Sequence, residues 1–197
     1  TFEYVEVHQN RELSLVSTLE QVRDASSSAL TVVLLVDCLG IQFVSVLDEA
    51  FRNFGLNRHQ LNYRFAPLPT TTKSNKPLLL SGQWEANGSS YEQILSERKN
   101  ADWKGRPVLY VSSLQGLSDL EVSHGGAIVV LNFVDSDKLL HENVEAQKTS
   151  HEEELQRLFH RMAQTCFALT ERWAGEKTDI EVLVCSDHGA CKVLDEE

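Results

Sequence analysis

The chain has 197 residues, 42% of them hydrophobic and 24% charged, so it has the proportions of a globular domain and enough length to bury one substantial core. Its formal net charge of −11 excludes a broad nucleic-acid surface, because phosphate backbones are held by clustered lysine and arginine. Four cysteines without a CxxC pair argue against a disulfide scaffold, and no apolar run reaches the length of about 18 residues that a membrane span needs. We therefore expect a reduced, cytoplasmic protein.

The first predicted elements are a helical lead-in, a strand and a helix. Residues 1–29 form the lead-in, in which Leu15–Val22 has amphipathic helical spacing. Leu30–Val36 is almost wholly apolar and β-branched, as in a strand covered on both faces of a parallel sheet. Apolar residues then recur at helical spacing from Ile41 to Phe54, and Gly55 is placed to cap that helix.

The middle of the chain alternates between polar segments and short apolar ones. Pro67–Asn75 is rich in turn formers and predicts a loop, which enters a short helix at Leu78–Gly82. One exposed helix is expected within Ser89–Asp102. Pro107–Val111 and Ala127–Phe133 predict two further strands.

The last two elements are a long helix and a strand. Apolar residues line one face of Ser150–Trp173, which predicts a helix that packs on the sheet, and Ile180–Cys185 predicts the final strand. Alternating strands and helices of this kind predict an α/β fold with a mostly parallel sheet flanked by helices on both faces. Functional loops are then expected along one edge of the sheet.

Three of the predicted strands are followed by loops that contain carboxylates: Asp37, then Asp135 and Asp137, then Asp187 beside His188. In a parallel sheet these loops share one edge. A single aspartate in such a place is commonly a helix cap. Several carboxylates at one edge repel each other, however, so the set predicts a bound cation, and imidazole beside carboxylate suits zinc or manganese.

The spacing of these residues bears on which of them can bind one ion. Asp137 and His141 are four residues apart, so on a helix they lie on the same face and can hold one ion, although a histidine there is also commonly a surface residue. Asp187 and His188 are adjacent, so they can reach one ion only from extended backbone, and Gly189 permits the turn that follows.

Three hydroxyl groups, those of Thr70, Thr71 and Thr72, are expected near the same edge. A threonine hydroxyl becomes a useful nucleophile only when a metal or a base lowers its pKa, so a catalytic threonine needs such a cluster beside it. The alternative is a stiff turn whose hydroxyls bond to the backbone.

Four motifs resemble, in their order along the chain, the alkaline phosphatase superfamily and most closely its PglZ domains. They are Val36-Asp37, Leu68–Lys73, Asn132–Asp137 continuing to His141, and Ser186–Gly189. The resemblance covers most of the chain from Leu30, so residues 30–197 are assigned to one PglZ-like domain that is truncated on its C-terminal side. The third motif also resembles cofactor-independent phosphoglycerate mutases, whose second domain this chain has no room for.

The resemblance implies a metal-dependent phosphatase or phosphodiesterase with two divalent ions, zinc in preference to manganese. The residues implied are Asp37, Thr72, Asp187 and His188 at one metal, Asp137 and His141 at the other, and Thr72 as nucleophile, with Thr71 as the alternative. Attack on phosphorus would give a phosphothreonine that water hydrolyses. The superfamily normally adds a histidine after the Asp-His-Gly loop, and none follows before Glu197. We therefore expect the second metal to bind weakly and this chain to hydrolyse phosphate esters poorly or not at all.

A rival interpretation makes the domain a catalytically weak scaffold or interaction module. PglZ domains occur in phage-defence systems of the BREX type and in signalling proteins, so other subunits of such an assembly are the expected partners, beside a phosphate-ester substrate. Neither a membrane nor a broad nucleic-acid surface is expected. Asp37 is expected to be dispensable for folding, because a carboxylate in a repulsive cluster does not hold a core together.

Overall fold

The computed structural model describes residues 30–58, 61, 71–81, 90–97, 106–121, 127–141, 150–174 and 180–189. The lead-in helix predicted at Leu15–Val22, and Thr70 in the threonine loop, lie outside these residues.

The described strands form one parallel sheet in the order β2-β3-β1-β4. The strands are β1 (Leu30–Val36), β2 (Val108–Val111), β3 (Ile128–Phe133) and β4 (Ile180–Cys185). Each falls within a predicted strand. β1 is central and pairs in parallel with both β3 and β4, so that Val32 lies beside Val129 on one side and Val182 on the other. The predicted parallel α/β fold is therefore confirmed.

Six α-helices connect or follow the strands within the described ranges. They are α1 (Val44–Arg52), α2 (Thr72–Ser81), α3 (Tyr91–Glu97), α4 (Leu114–Ser118), α5 (Asp135–His141) and α6 (His151–Ala174), and a 3-10 turn at Ile41–Phe43 precedes α1. The glycine predicted to end α1 does so, because Gly55 takes a positive φ of 76° and the next residue, Leu56, donates its N–H to the carbonyl of Phe51 at 3.1 Å.

Helices cover both faces of the sheet, as the apolar strands predict. All seven residues of β1 are buried. Leu34 and its alternate neighbours pack in a core with α1, α4, α5 and α6, whereas Leu35 packs on the opposite face with Leu80 of α2 and with Ile94 and Leu95 of α3. The period of two in β1 thus divides the core into two layers.

Three helices differ from the sequence predictions. α2 begins at Thr72, inside the segment predicted as a loop, and continues through Pro77. The predicted exposed helix is α3, but Ile94 and Leu95 are buried against the sheet, because two adjacent apolar residues in so short a helix need cover. α4 is not predicted at all, although Ser113 caps it by accepting a hydrogen bond from the N–H of Gly116 at 3.0 Å.

The long helix α6 packs as its pattern predicts. Its buried face consists of Leu155, Phe159, Met162, Ala163, Cys166 and Leu169. Charged residues lie on its other side, and none of the helices in the described part of the chain is long and apolar enough to cross a membrane.

The sheet order places three carboxylate-bearing loops side by side. β3, β1 and β4 are adjacent and parallel, so the residues after them emerge at the same edge. Asp37 follows β1, α5 begins at Asp135 just after β3, and Asp187 follows β4. This edge holds the candidate site.

Candidate active site

Asp37 is fixed by the end of strand β1. Its backbone N–H continues the sheet by donating to the carbonyl of Phe133 at 2.9 Å, and its own carbonyl accepts a hydrogen bond from the Ser136 hydroxyl at 2.7 Å. The residue is 3% exposed. Cys38 then has a φ of 61°, a left-handed conformation that is uncommon for a residue other than glycine and turns the chain sharply after Asp37.

The loop after β4 is tied to this turn. The Ser186 hydroxyl accepts from the backbone N–H of Leu39 at 3.0 Å and donates to the carbonyl of His188 at 2.6 Å. A Cβ on Gly189 would lie only 3.4 Å from the Cα of Gly40, which shows how closely the two loops approach. Asp187 and His188 are thereby held against the end of β1.

His188 has its ring oriented by the backbone. Its Nδ1 lies 3.2 Å from the carbonyl oxygen of Gly189. A carbonyl can only accept, so this contact is a hydrogen bond when Nδ1 carries the proton, and the neutral ring then presents the lone pair of Nε2. Nε2 lies 2.9 Å from Thr72 Oγ1 and 3.6 Å from both Asp37 Oδ1 and Asp187 Oδ2.

Helix α2 supplies a hydroxyl and an ammonium group to Asp37. Thr72, its first residue, donates from Oγ1 to Asp37 Oδ1 at 3.1 Å. Lys76 follows one turn later on the same face, with Nζ 2.6 Å from Asp37 Oδ2. The two oxygens of the Asp37 carboxylate therefore have different neighbours.

Lys76 is enclosed by further polar and aromatic groups. Its Nζ also donates to Asn132 Oδ1 at 2.9 Å and lies 5.6 Å from the centre of the Tyr91 ring. Asn132 in turn donates from Nδ2 to the Tyr110 hydroxyl at 3.0 Å. Since Lys76 is only 1% exposed, this network fixes its charge beside Asp37.

Asp187 is a buried carboxylate with one oxygen unsatisfied. Its side chain is 0% exposed; Oδ1 accepts a long hydrogen bond from the N–H of Cys38 at 3.5 Å, and Oδ2 has no hydrogen-bond partner. Burial raises the pKa of Asp187, the charge of Asp37 raises it further, and the nearby His188 and Lys76 oppose the shift. The carboxylate is therefore poorly satisfied by the protein itself.

When the His188 ring is neutral, the cluster contains more acceptors than donors. With Nδ1 of His188 donating to Gly189, the acceptors that face one another are Asp37 Oδ1, Asp187 Oδ2 and His188 Nε2, and the Thr72 hydroxyl has one proton to share among them. One ligand atom from each of Asp37, Asp187 and His188 lies within 4.8 Å of the others. Two carboxylates, an imidazole and a hydroxyl are a donor set that fits zinc or manganese, so these residues fit the implied cation.

Asp137 and His141 lie beside this group. Both are on α5, and His141 Nε2 is 3.3 Å from Asp137 Oδ1, so they share a helix face as their spacing predicts. The His141 side chain is 77% exposed and that of Asp137 27%. Burial raises the pKa of the Cys38 thiol to about 12, and the charge of Asp137 and a hydrogen bond between Cys38 and Asp137 raise this pKa further. Asp137 therefore lies next to the turn that follows Asp37.

The remaining predicted residues lie at the surface. Thr71 is exposed, whereas the Thr72 hydroxyl reaches Asp37 and His188. Asp135 pairs with Lys138 on the exposed side of α5 at 3.3 Å. Of the two candidate nucleophiles, the structure brings Thr72 to the cluster.

Sequence reasoning missed the residues that surround the ligands. Lys76 is the most important of them, and its spacing of four from Thr72 was an available signal, had α2 been predicted to start at Thr72. Ser136 and Ser186 stand beside the predicted aspartates but gave no signal of their own. Asn75, between Thr72 and Lys76, is 2% exposed and its side-chain amide has no hydrogen-bond partner.

No protein-family model matches the chain, and no curated protein matches it significantly. The site itself and the motif resemblance are therefore what indicates a function for the chain.

Proposed function

We propose that the chain is a metal-dependent phosphoric-ester hydrolase, a phosphatase or phosphodiesterase, with Thr72 as its nucleophile. The observation that carries the proposal is the surplus of acceptors around the Thr72 hydroxyl. Asp187 Oδ2 is buried without a hydrogen-bond partner, while Asp37 Oδ1 and His188 Nε2 both face Thr72 Oγ1 at 3.1 and 2.9 Å. A cation among these atoms would satisfy all of them.

Asp37, Asp187, His188 and Thr72 would hold this cation. When bound, it would lower the pKa of the Thr72 hydroxyl and neutralise charge on the transferring phosphoryl group. The protein's own contribution is orientation. Asp37 and His188 contact Oγ1 and would orient it for in-line attack on phosphorus, in which the hydroxyl loses its proton to water and the ester oxygen departs as the leaving group.

Asp137 and His141 would hold a second divalent ion, and we propose that it binds more weakly. Two protein ligands are fewer than the three or four typical of tight sites, and within the described residues no third ligand completes the pair. The site is also largely exposed, so water competes for every ligand position.

The test is hydrolysis of p-nitrophenyl phosphate and bis-p-nitrophenyl phosphate by the chain after dialysis against EDTA, with zinc or manganese then added back. Because the second metal site is weak, release of p-nitrophenol should be slow; it should require metal and should disappear in Thr72→Ala. Thr71→Ala tests the alternative nucleophile and should keep most of the rate. Loss of turnover in Thr71→Ala with retention in Thr72→Ala would transfer the role to Thr71.

One observation favours the rival, a catalytically weak scaffold within a larger defence or signalling assembly. Lys76 already neutralises Asp37 without any metal, so the site has partial charge balance of its own. In that case the chain would bind no metal tightly and would turn over neither substrate. The free thiols of Cys38, Cys166 and Cys185 support the further proposal of a reducing, cytoplasmic location for either function.

A further inference from the structure

Lys76 is a fully buried ammonium group placed against a proposed metal ligand. Its Nζ lies 2.6 Å from Asp37 Oδ2, and the side chain is 1% exposed. Burial of a lysine is costly, and such residues are rare unless the charge is paired. The ion pair with Asp37 is thus a specific part of the site, and the packing of α2 alone does not explain why a charged residue is buried there.

The position of Lys76 is fixed by groups on three other elements. Asn132 from β3 accepts from Nζ at 2.9 Å, and Tyr110 from β2 holds Asn132 through its hydroxyl at 3.0 Å. The Tyr91 ring of α3 lies 5.6 Å from the ammonium. Because these neighbours surround the amine, it has no route to solvent within the described structure and would remain beside Asp37 when a cation binds.

We propose that Lys76 is a permanent counter-cation with two effects. It weakens metal binding at Asp37, and it leaves the metal-loaded site positively charged, so that the site binds an anionic phosphate substrate more tightly. The inference rests on the proposed metal-dependent function. Lys76 acts through Asp37 Oδ2, leaving Oδ1, which faces Thr72 and His188, as the oxygen available to a cation.

The charge balance shows that Lys76 lowers the affinity for the metal and raises the affinity for phosphate. Metal ligands must be deprotonated, so Asp37 and Asp187 contribute two negative charges to a loaded site, and Lys76 contributes one positive charge. With a divalent ion the group is therefore positive by one unit, whereas without Lys76 it would be neutral. A fixed positive charge this close opposes the cation and attracts the phosphate, and burial makes both effects strong.

The opposite effects on metal and phosphate affinity distinguish an electrostatic role of Lys76 from a structural one. Loss of a merely structural lysine would loosen Asp37 and weaken the binding of metal and of anion together. Loss of a counter-cation would tighten the metal and weaken the anion. Two variants reduce the positive charge beside Asp37 by different means. Lys76→Gln removes the ammonium group, and Asn132→Asp places a carboxylate of the same size as the amide next to the Lys76 ammonium. Lys73→Gln is the matched control, since Lys73 is exposed on the same helix.

The experiment is calorimetric titration of the EDTA-treated full chain with Mn²⁺, followed by titration of the manganese-saturated protein with inorganic phosphate, with folding checked by circular dichroism. Lys76→Gln should bind Mn²⁺ at least about tenfold more tightly and phosphate at least about tenfold more weakly than wild type. Asn132→Asp should shift both constants in the same two directions, so the test stands if Lys76→Gln does not fold. Lys73→Gln should change neither by more than about twofold, because solvent screens its charge.

Two outcomes overturn the inference and are distinct from failure of the proposed function. If wild type binds Mn²⁺ but the variants weaken both constants, or leave both unchanged, Lys76 is structural. If Lys73→Gln shifts the constants as much as Lys76→Gln, overall charge is responsible. Wild type that binds no Mn²⁺ would instead refute the metal-dependent function on which the inference rests.

Discussion

The substitution Asp187→Asn should stabilise the metal-free protein while removing metal binding. The Asp187 side chain is 0% exposed, and its Oδ2 has no hydrogen-bond partner; the nearest group that can carry a positive charge is the His188 ring, whose Nε2 lies 3.6 Å away. An unsatisfied buried polar group costs about 1–3 kcal/mol, and more when it is charged. In the variant, the amide oxygen can keep the hydrogen bond from Cys38, and the NH₂ group takes the place of Oδ2, where it faces acceptors on Asp37 and His188.

The gain should therefore be about 1–3 kcal/mol in the free energy of unfolding. At this chain length each kcal/mol shifts the Tm by roughly 2–4 °C, so the Tm should rise by about 2–12 °C. Thermal unfolding followed by circular dichroism in EDTA measures this. Added Mn²⁺ should raise the Tm of wild type and leave Asp187→Asn unchanged. A variant that is less stable than wild type in EDTA would show that Asp187 is a structural residue, contrary to this reasoning.

The same substitution has a predictable pH dependence. The folded pKa of Asp187 is raised above its ordinary value of 3.8, chiefly by burial, so in the window between the two values the folded protein binds a proton that the unfolded chain has lost. By linkage, this carboxyl makes wild type less stable as pH rises through that window. The stability advantage of Asp187→Asn in EDTA should therefore be small below the ordinary pKa and grow as pH rises. An advantage that shrinks with rising pH would contradict the raised pKa.

The remaining predictions concern neighbouring groups. Asp37→Ala should lower the free energy of unfolding by about 3–5 kcal/mol, because it leaves the Lys76 ammonium buried and unpaired, and chemical denaturation should show part of that loss restored in the double variant Asp37→Ala with Lys76→Met. Zinc calorimetry should find one tight and one weak site, with His141→Ala affecting only the weak one; two equally tight sites would refute the ligand count at Asp137 and His141. Cys38, whose pKa is raised to about 12, should resist iodoacetamide at pH 8 in the native state and react after denaturation, as peptide mass mapping would show.

Those site residues that directly follow an apolar strand could be predicted from the sequence. Apolar strands followed by Asp37 and by Asp187-His188 are visible in the sequence, and a parallel sheet brings their loops to one edge. The strand order is a different matter. That β1 lies between β3 and β4, so that Asp37 and Asp187 are neighbours, depends on crossovers whose direction no local pattern records.

The start of α2 could not be predicted because tertiary contacts outweigh local propensity there. Threonine, serine and asparagine favour turns, and Pro77 argues against a helix interior, so the segment predicts a loop. In the structure Thr72 and Lys76 anchor the helix to Asp37 through contacts that span 35 and 39 residues of sequence. The buried Lys76 also leads us to predict that Asp37 contributes to folding, whereas the sequence alone led us to expect that it is dispensable.

The Asp137 and His141 pair was predictable as a helix face at the shared edge of the sheet, but its position relative to Asp37 was not. Their spacing is a local property, and the 3.3 Å approach of their side chains follows from it. Their relation to Asp37 depends on how α5 leaves β3, where the Ser136 hydroxyl binds the Asp37 carbonyl at 2.7 Å. That contact joins residues 99 apart in sequence and has no local signature.

A covalent intermediate on Thr72 can be detected by acid quenching of the manganese-loaded chain during turnover of p-nitrophenyl phosphate, followed by mass spectrometry of its peptides. We expect one added phosphoryl group on Thr72, present with metal and absent in EDTA and in Thr72→Ala. Metal-dependent turnover with an unmodified Thr72, or with the label on Thr71, would contradict the assignment of the nucleophile. A chain that neither binds metal nor turns over the ester would contradict the proposed function and favour the scaffold.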